Sequence, residues 1–229
     1  MYFSLVIPTY EYKNRAPELL NTLLSSISQQ TMTDYEIVVS DHSTSDLVKE
    51  YISLHWSSLP IKYSKNIRGV GNSSVNMNEG IKLSDGKFIK IMHMDDWFCN
   101  DNTLFLIKEA VEGDPKKKWG GVGFNHYYED TNSVKRYIMP HIDSQIRTLL
   151  GCPSVSFFIN DKADPIFFDE SIIIINDSDM HIRLGKRYGA PALINEYCVT
   201  VRMSKDQVSS TVTSQHHLNE ISYYRNKNF

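Results

Sequence analysis

The order of apolar segments in the first half of the chain constrains the fold more than any other feature of the sequence. A continuous apolar run at residues 3–7 precedes a segment at 16–28 whose apolar residues recur three and four positions apart, as on a helix face. The alternation continues with strands at 36–39, 61–63 and 87–92 and with helices at 47–54, 73–84 and, capped by Asp101, 101–111. Strands that alternate with helices predict an α/β fold with a mostly parallel, doubly wound sheet.

The second half of the chain has a different pattern. Four strands are predicted here, at 119–128, 134–139, 155–159 and 199–203, of which the first two form a hairpin or meander. A helix is predicted over 179–188, ended by Gly189, and the tail from 213 to 224 has helical spacing. Because no repeat or low-complexity linker separates the halves, we expect residues 1–229 to form a single domain built on one sheet.

Composition and charge exclude several classes of protein. A net charge of -3 argues against binding along a nucleic-acid backbone, which requires an excess of Lys and Arg. No apolar run reaches the roughly 20 residues that span a bilayer, and the start of the chain is too short and uncharged for a signal peptide. The widely spaced Cys99, Cys152 and Cys198 fit a reducing compartment better than a disulfide framework. We expect a cytoplasmic protein, and the basic residues 116–118 leave peripheral membrane contact open.

Polar side chains follow three of the predicted strands of the first half. They are Pro8, Thr9, Tyr10 and Glu11, then Asp41 and His42, then His93, Met94, Asp95 and Asp96. Ligands of open α/β sheets bind at the carboxyl ends of strands, so we expect these clusters to meet at one edge. The adjacent carboxylates of Asp95 and Asp96 are costly to bury unless a cation neutralises them, and oxygen ligands suit Mg²⁺ or Mn²⁺. The alternative is that one of the two caps the helix near residue 101 or is solvated.

Six segments and one arginine, in their order and spacing, resemble those of the family 2 glycosyltransferases. They are residues 6–10, 35–41, 76–81, 85–97, 168–171 and 176–184, and Arg202. The resemblance covers about residues 3–210 and implies the GT-A fold. It also implies an inverting, metal-dependent hexosyltransferase, which moves a sugar from a nucleotide-diphosphate sugar to a hydroxyl of a glycan or glycolipid. UDP is the default nucleotide of the family.

The same resemblance implies roles for particular residues. Nucleotide-sugar binding would fall to Pro8, Thr9, Tyr10, Glu11, Asp41, Arg68, Asn76, His93, Met94 and Asp95. Asp95 and Asp96 would hold Mn²⁺ or Mg²⁺ on the diphosphate, and Asp177 would be the catalytic base. Residues 1–112 would form the nucleotide-sugar-binding half and residues 113–229 the acceptor-side half. One base on the acceptor side and one metal on the leaving-group side suffice for a direct in-line displacement.

Four positions depart from the usual pattern of the family. His93 stands where the first Asp of an Asp-x-Asp unit is usual, and His42 stands where a second acidic residue often follows the second strand. Asn176 replaces the usual Glu before the base, and Ser204 replaces a His that often follows the late arginine. The remaining candidates for assisting the diphosphate are Arg202, His216 and His217.

Two other functions remain open at this point. A nucleotidyltransferase-like enzyme can share a similar sheet and metal site, but it usually has a Gly-rich, basic loop where this chain has residues 8–11. A non-catalytic nucleotide- or sugar-binding module is the other alternative, and an aspartate at position 177 argues against it. Among single residues, Asp177 could instead cap a helix that starts near Asp179, while Asp179 could pair with Arg183 or contact the acceptor.

Overall fold

The structure is a computed structural model that describes residues 1–141, 150–205 and 213–228. The elements of the first half are β1 Phe3–Thr9, α1 Ala16–Ser28, β2 Tyr35–Asp41, α2 Leu47–His55, β3 Ile61–Lys65, α3 Ser73–Leu83, β4 Phe88–Ile91, β5 Trp97–Phe98 and α4 Thr103–Gly113. Those of the second half are β6 Trp119–Tyr128, β7 Ser133–Ile138, a 3-10 turn Pro153–Val155, β8 Ser156–Ile159, α5 Asn176–Tyr188, β9 Ala192–Met203 and α6 Ser214–Asn228.

Within the described residues, nine strands form one sheet in the order β3-β2-β1-β4-β8-β6-β9-β5, and β7 pairs with the carboxyl-terminal part of β6. The first four strands pair in parallel. β8 is antiparallel to both β4 and β6, so β6 runs in the same direction as β4, and β9 is parallel to β6. The carboxyl ends of β1, β2, β4, β6 and β9 therefore lie at the same edge of the sheet.

Local signals in the sequence fix the helices that border this edge. α1 has a proline in its first turn and buries the leucine stripe that predicts it. The side chain of Asn72 caps α3 by accepting the amide of Val75 at 3.1 Å. Gly189 ends α5 with a φ of 75°, a conformation that suits glycine. No helix in the described part of the chain has both the length and the apolar character needed to cross a bilayer.

The predicted order of elements is confirmed apart from one strand that was not predicted, and the starts of three elements differ. α4 begins at Thr103, and its cap position is Asn102 rather than Asp101, with no side-chain cap bond. α5 begins at Asn176, earlier than predicted, after an isoleucine at the cap position that gives no local start signal. β9 begins at Ala192, where alternate residues are exposed and give no apolar run to detect. The two-residue strand β5 was not predicted because it is too short to show a period.

The turn before β4 allows one prediction about stability. A Cβ atom on Gly86 would lie 2.5 Å from the backbone carbon of Phe3 and from the amide nitrogen of Ser4. We expect Gly86→Ala to lower the free energy of unfolding by about 1–3 kcal/mol, because backbone atoms cannot move aside cheaply. Gly113→Ala is the control, since a Cβ there meets nothing within 4 Å. Urea unfolding of both variants tests this, and equal midpoints for Gly86→Ala and wild type would contradict it.

Candidate functional site

The carboxyl ends of β1 and β2 are joined by a buried hydrogen-bond network around Asp41. Its carboxylate accepts hydrogen bonds from Thr9 Oγ1 (3.3 Å), from the Ser43 amide (2.9 Å) and from the Tyr63 hydroxyl (2.7 Å). Thr9 and Asp41 are both fully buried. The structure thus brings these two predicted site residues together. The carboxylate faces its own chain, and a contact between Asp41 and a nucleotide base stays a prediction.

The loop after β1 carries the more accessible residues of the predicted nucleotide pocket. Tyr10 is 43% exposed, and its ring centre lies 5.3 Å from that of Tyr12 in an edge-to-face arrangement. Pro8 is half-buried at the end of β1. Glu11 accepts the amide and the hydroxyl of Thr44 at 2.7 and 2.6 Å. Burial alone would raise the pKa of Glu11, but these hydrogen bonds outweigh it and hold the pKa below its usual range.

The same loop contains three consecutive residues in the left-handed conformation. Tyr12, Lys13 and Asn14 have φ angles of 45°, 54° and 67°, which are uncommon outside glycine. The Tyr12 hydroxyl lies 3.2 Å from Ser204 Oγ, at the position where the family often has histidine. This contact ties the loop after β1 to the end of β9 and helps to hold a conformation that costs energy.

Asn76 is hydrogen-bonded to the carboxyl end of β1, whereas Arg68 is exposed and paired with carboxylates. Asn76 Nδ2 donates to the backbone oxygen of Thr9 at 3.0 Å, and Asn76 Oδ1 is buried with no hydrogen-bond partner among the described residues. The exposed guanidinium of Arg68 donates to Glu170 at 2.8 Å and to Glu79 at 3.3 Å. Asn76 therefore has an acceptor oxygen available at the carboxyl end of β1. Arg68 can reach a diphosphate only by leaving these carboxylates, so that role stays a prediction.

Three candidate metal ligands follow β4. One ligand atom each of His93, Asp95 and Asp96 lies within 4.8 Å of the others. Nε2 of His93 is buried with no partner among the described residues, and burial lowers the pKa of His93, which keeps the ring neutral. Asp96 is 3% exposed, and its Oδ1 accepts the amide of Arg202 at 3.0 Å. A neutral imidazole beside two carboxylates fits a divalent cation with mixed nitrogen and oxygen ligands. Met94, which is also predicted to bind the nucleotide sugar, lies between His93 and Asp95 in the sequence, and its side chain is buried.

A buried lysine lies behind this cluster. Lys90 of β4 is fully buried, and its ammonium group donates to the backbone oxygens of Ser154 and Ile91. Burial lowers the pKa of Lys90 to about 7, whereas burial and the neighbouring Asp95 raise the pKa of Asp96. Ionised Asp96 would thus be a negative charge in a buried place, compensated incompletely by a marginally charged lysine. A divalent cation would balance that charge.

Arg202 connects the cluster to the second half of the chain. Its Nε donates to the backbone oxygen of Asp95 at 3.2 Å, and its Nη1 donates to Glu129 at 3.4 Å. The guanidinium carbon lies 5.3 Å from the ring centres of both Trp97 and Tyr127. Two aromatic rings and a carboxylate therefore hold the arginine beside the metal cluster. This supports Arg202, among the candidates, as the residue placed to assist a diphosphate.

A cavity of about 500 Å³ lies next to Arg202, at the carboxyl ends of β6 and β9. Its walls are Tyr128, Glu129, Asp130, Met203, Ser204 and Lys205. The other two candidates for assisting the diphosphate are His216 and His217, and neither is among the residues that line this cavity. His216 is exposed on α6, and the side chain of His217 lies outside what the structure describes.

Asp177 lies in the first turn of α5 rather than at its cap position, which is Ile175. The prediction that this residue precedes the helix is therefore wrong, as is the alternative that it caps the helix. Its carboxylate is 8% exposed and accepts the amide and the hydroxyl of Ser178 at 2.6 and 3.3 Å. Burial raises the pKa of Asp177 to about 7, in the range of a general base at neutral pH. The neighbouring Asp179 pairs with Arg183 at 2.8 Å, as the ion-pair alternative predicts.

Cys152 relates Asp177 to the metal cluster. Cys152 is half-buried, and its thiol is within electrostatic reach of both Asp96 and Asp177. Burial, together with these two negative charges, raises the pKa of Cys152 well above its usual range, so the thiol is protonated at neutral pH. The candidate base and the candidate metal ligand Asp96 are therefore both within electrostatic reach of one thiol, although 81 positions separate Asp96 from Asp177 in the sequence.

Several residues of this site were not found from the sequence. They are Arg15, Lys90, Glu129, Ser154 and Glu220. Lys90 left a signal, because a lysine in the middle of an otherwise apolar strand must find partners or lose its charge. Glu129 forms ion pairs with Arg15 and Arg202, which lie in distant segments of the chain, so no local sequence pattern predicts these pairs.

The chain belongs to the family 2 glycosyltransferases, because the model described as "Glycosyl transferase family 2" matches residues 4–163. It is similar to the poly(ribitol-phosphate) beta-N-acetylglucosaminyltransferase TarP of Staphylococcus aureus, with 32% identity over 86% of this chain and 69% of TarP. The corresponding enzyme TarS of the same species is 29% identical over 45% of this chain and 18% of TarS. The chain therefore matches less than a fifth of TarS.

Solved structures share the fold. Residues 1–349 of S. aureus TarS, in complex with UDP-GlcNAc, match with a TM-score of 0.71 at 19% identity, over 93% of this chain and 62% of that one. The mannosyltransferase PcManGT from Pyrobaculum calidifontis, in complex with GDP-Man and Mn²⁺, matches with a TM-score of 0.63 at 16% identity, over 96% of this chain and 64% of that one. The predicted GT-A fold is confirmed.

Proposed function

We propose that this chain is an inverting glycosyltransferase that moves a sugar from a UDP-sugar to a hydroxyl of a glycan or a lipid-linked glycan. The observation that carries the proposal is that α3 makes hydrogen bonds both to Thr9, at the carboxyl end of β1, and to Asn176, next to the buried Asp177, at the edge of the sheet where Asp96 follows β4. One edge of the sheet thus offers a cation site for the leaving group and a proton acceptor for the attacking hydroxyl. The UDP-GlcNAc complex of TarS and the name of TarP support the donor class and a polyhydroxyl acceptor.

In this proposal His93, Asp95 and Asp96 hold a divalent cation, Mn²⁺ or Mg²⁺. When bound, the cation acts as a Lewis acid that neutralises charge on the diphosphate of the leaving nucleotide. The unpartnered Nε2 of His93 supports the assignment, and so does the Mn²⁺ of the PcManGT complex. Because Mg²⁺ prefers oxygen ligands and imidazole suits later divalent metals, His93 favours Mn²⁺ of the two.

Asp177 accepts the proton of the acceptor hydroxyl in this scheme. A hydroxyl is a poor nucleophile, and a positioned base contributes roughly 10²- to 10⁴-fold to the rate. Direct attack opposite the leaving group inverts the anomeric centre and needs no carboxylate nucleophile. Thr9, Tyr10, Glu11 and Asn76 line the carboxyl end of β1 and would position the nucleotide.

The division into a donor half at residues 1–112 and an acceptor-side half at 113–229 belongs to the same proposal, as does action on the cytoplasmic side. Membership of family 2 favours this reading over a nucleotidyltransferase. A module that binds nucleotide sugars without turning them over is the remaining alternative.

A panel of nucleotide sugars tests the proposal without an identified acceptor. The protein is incubated with Mn²⁺ and each sugar donor, and slow hydrolysis is followed as release of nucleoside diphosphate. We expect release from at least one UDP-sugar and its loss when EDTA is added. Pyrophosphate exchange would support the nucleotidyltransferase instead. Donor binding without any turnover would support the non-catalytic module.

A further inference from the structure

The first turn of α5, which carries Asp177, has no cap of its own. Residues 172–175 are four isoleucines, and the cap residue Ile175 offers no side-chain acceptor. The exposed amides at a helix start need partners, and a negative charge there interacts favourably with the helix dipole.

Glu220 of α6, from a distant part of the chain, binds the cap residue and the two residues before it. Its carboxylate accepts the amides of Ile173 and Ile174 at 2.9 Å each and that of Ile175 at 3.2 Å. Both oxygens are used, so one side chain satisfies three consecutive backbone donors. Asp177 follows two positions after the last of them.

A second contact of α6 steadies the segment that leads to these isoleucines. Asp169 pairs with Lys227 and accepts the Tyr223 hydroxyl at 3.3 Å. Together with the cap, this contact holds residues 169–175 against α6.

On the opposite side, α3 holds the same segment. Asn72 Nδ2 donates to the backbone oxygen of Glu170 at 2.8 Å, and Ser74 Oγ donates to that of Ile172 at 2.7 Å. Asn176 Nδ2 donates to Ser74 Oγ at 3.1 Å. The contact from α3 reaches the side chain of Asn176, the first residue of α5, whereas Glu220 binds the backbone amides of the three residues that lead into the helix.

We propose that Glu220 is a positioning residue for the transfer reaction, which sets the first turn of α5 and so the place of the Asp177 carboxylate. This rests on the proposed role of Asp177 as the base. Glu220 itself touches neither substrate nor metal in this account. A misplacement of a reacting group by about 1 Å can cost roughly 100-fold in rate, so a small shift of this turn has a large effect on turnover.

Glu220→Gln tests the proposal, because glutamine keeps the size of the side chain but loses its charge and one acceptor. Glu50→Gln, on an exposed position of α2, is the matched control. We expect hydrogen exchange of the amides at 173–175 to become roughly 5- to 30-fold faster in Glu220→Gln. Turnover per folded molecule should fall roughly 10- to 100-fold, while the affinity for UDP with Mn²⁺ stays as in wild type. Glu50→Gln should change none of these.

The proposal is overturned if Glu220→Gln leaves turnover within twofold of wild type, whether or not amide exchange rises. It is also overturned if UDP affinity falls in step with turnover, which a loss of folded protein would produce. Should Glu220→Gln fail to fold, Glu220→Asp keeps the charge on a shorter side chain and must show the same split between turnover and UDP affinity. If Asp177→Asn is fully active while Glu220→Gln is slow, the base assignment fails and the effect of Glu220 on turnover stands.

Discussion

Asp177→Asn should lower the turnover number by roughly 10²- to 10⁴-fold and leave UDP-sugar binding unchanged, because the amide cannot accept the hydroxyl proton. Asparagine has nearly the same shape, and its oxygen can still accept the Ser178 amide that now lies 2.6 Å from the carboxylate. Asp179→Asn is the comparison variant, because Asp179 is the alternative base two positions further on and its replacement should leave turnover per folded molecule near wild type if Asp177 is the base. Steady-state kinetics on the true acceptor, with donor affinity by calorimetry, measure both. Transfer by Asp177→Asn within a few-fold of wild type would rule out the assignment and make Asp179 the next candidate.

The raised pKa of Asp177 gives this prediction a pH signature. Burial raises the pKa to about 7, so the ionised base is lost as the pH falls through 7 and the turnover of wild type should fall with it. The same shift sets the sign of a stability effect. The folded protein binds this proton more tightly than the unfolded chain, so stability falls as the pH rises from the ordinary pKa of 3.8 to the folded pKa of about 7 and is level above it. At a pH about one unit above that pKa, Asp177→Asn should therefore be at least as stable as wild type.

Replacing Asp95 and Asp96 together with asparagine should remove the metal-dependent part of donor affinity. The carboxylates of Asp95 and Asp96 provide the negative charge of the cluster, and neutral amides hold a divalent cation on a diphosphate much more weakly. We expect UDP to bind wild type at least roughly tenfold more tightly with Mn²⁺ than without it, and the double variant equally under both conditions. Titration calorimetry measures this, and Mn²⁺ binding followed by electron paramagnetic resonance provides a readout that is independent of nucleotide.

Asp101→Asn is the control for this experiment, since it removes an exposed carboxylate a few residues from the cluster. It should leave the affinity for Mn²⁺ and the effect of Mn²⁺ on UDP unchanged. The metal assignment is wrong if wild type binds UDP equally well with and without Mn²⁺. It is also wrong if the double variant keeps the full metal effect.

The architecture of the first half could be predicted because its strands and helices follow from local patterns of apolar residues. Apolar runs such as 3–7 and 36–39 become parallel strands that are buried along their length. The leucine stripe of α1 gives its buried face directly. Where a strand is half exposed, as in the first part of β9, or only two residues long, as in β5, the periodic signal weakens and the boundary is missed.

The candidate site was predictable where it follows such strands, and not where it depends on tertiary contacts. Asp95, Asp96 and Thr9 come directly after β4 or at the end of β1, so topology alone places them at the edge. The capping of α5 by Glu220 joins segments that are 45 or more positions apart, and no local pattern announces it. The same holds for the bond from Arg202 to the backbone of Asp95, which lies beside the antiparallel pairing of β5 with β9.

The stereochemistry of donor hydrolysis tests the central claim most directly. The donor is UDP-GlcNAc or whichever α-linked UDP-sugar the panel identifies. In the absence of acceptor, water should take the place of the attacking hydroxyl and release the free sugar. Proton NMR recorded before the anomers interconvert shows which one forms first. A single displacement assisted by Asp177 predicts the β-anomer, and Asp177→Asn should suppress its formation. Initial release of the α-anomer would contradict single displacement with Asp177 as the base, because it requires retention at the anomeric centre.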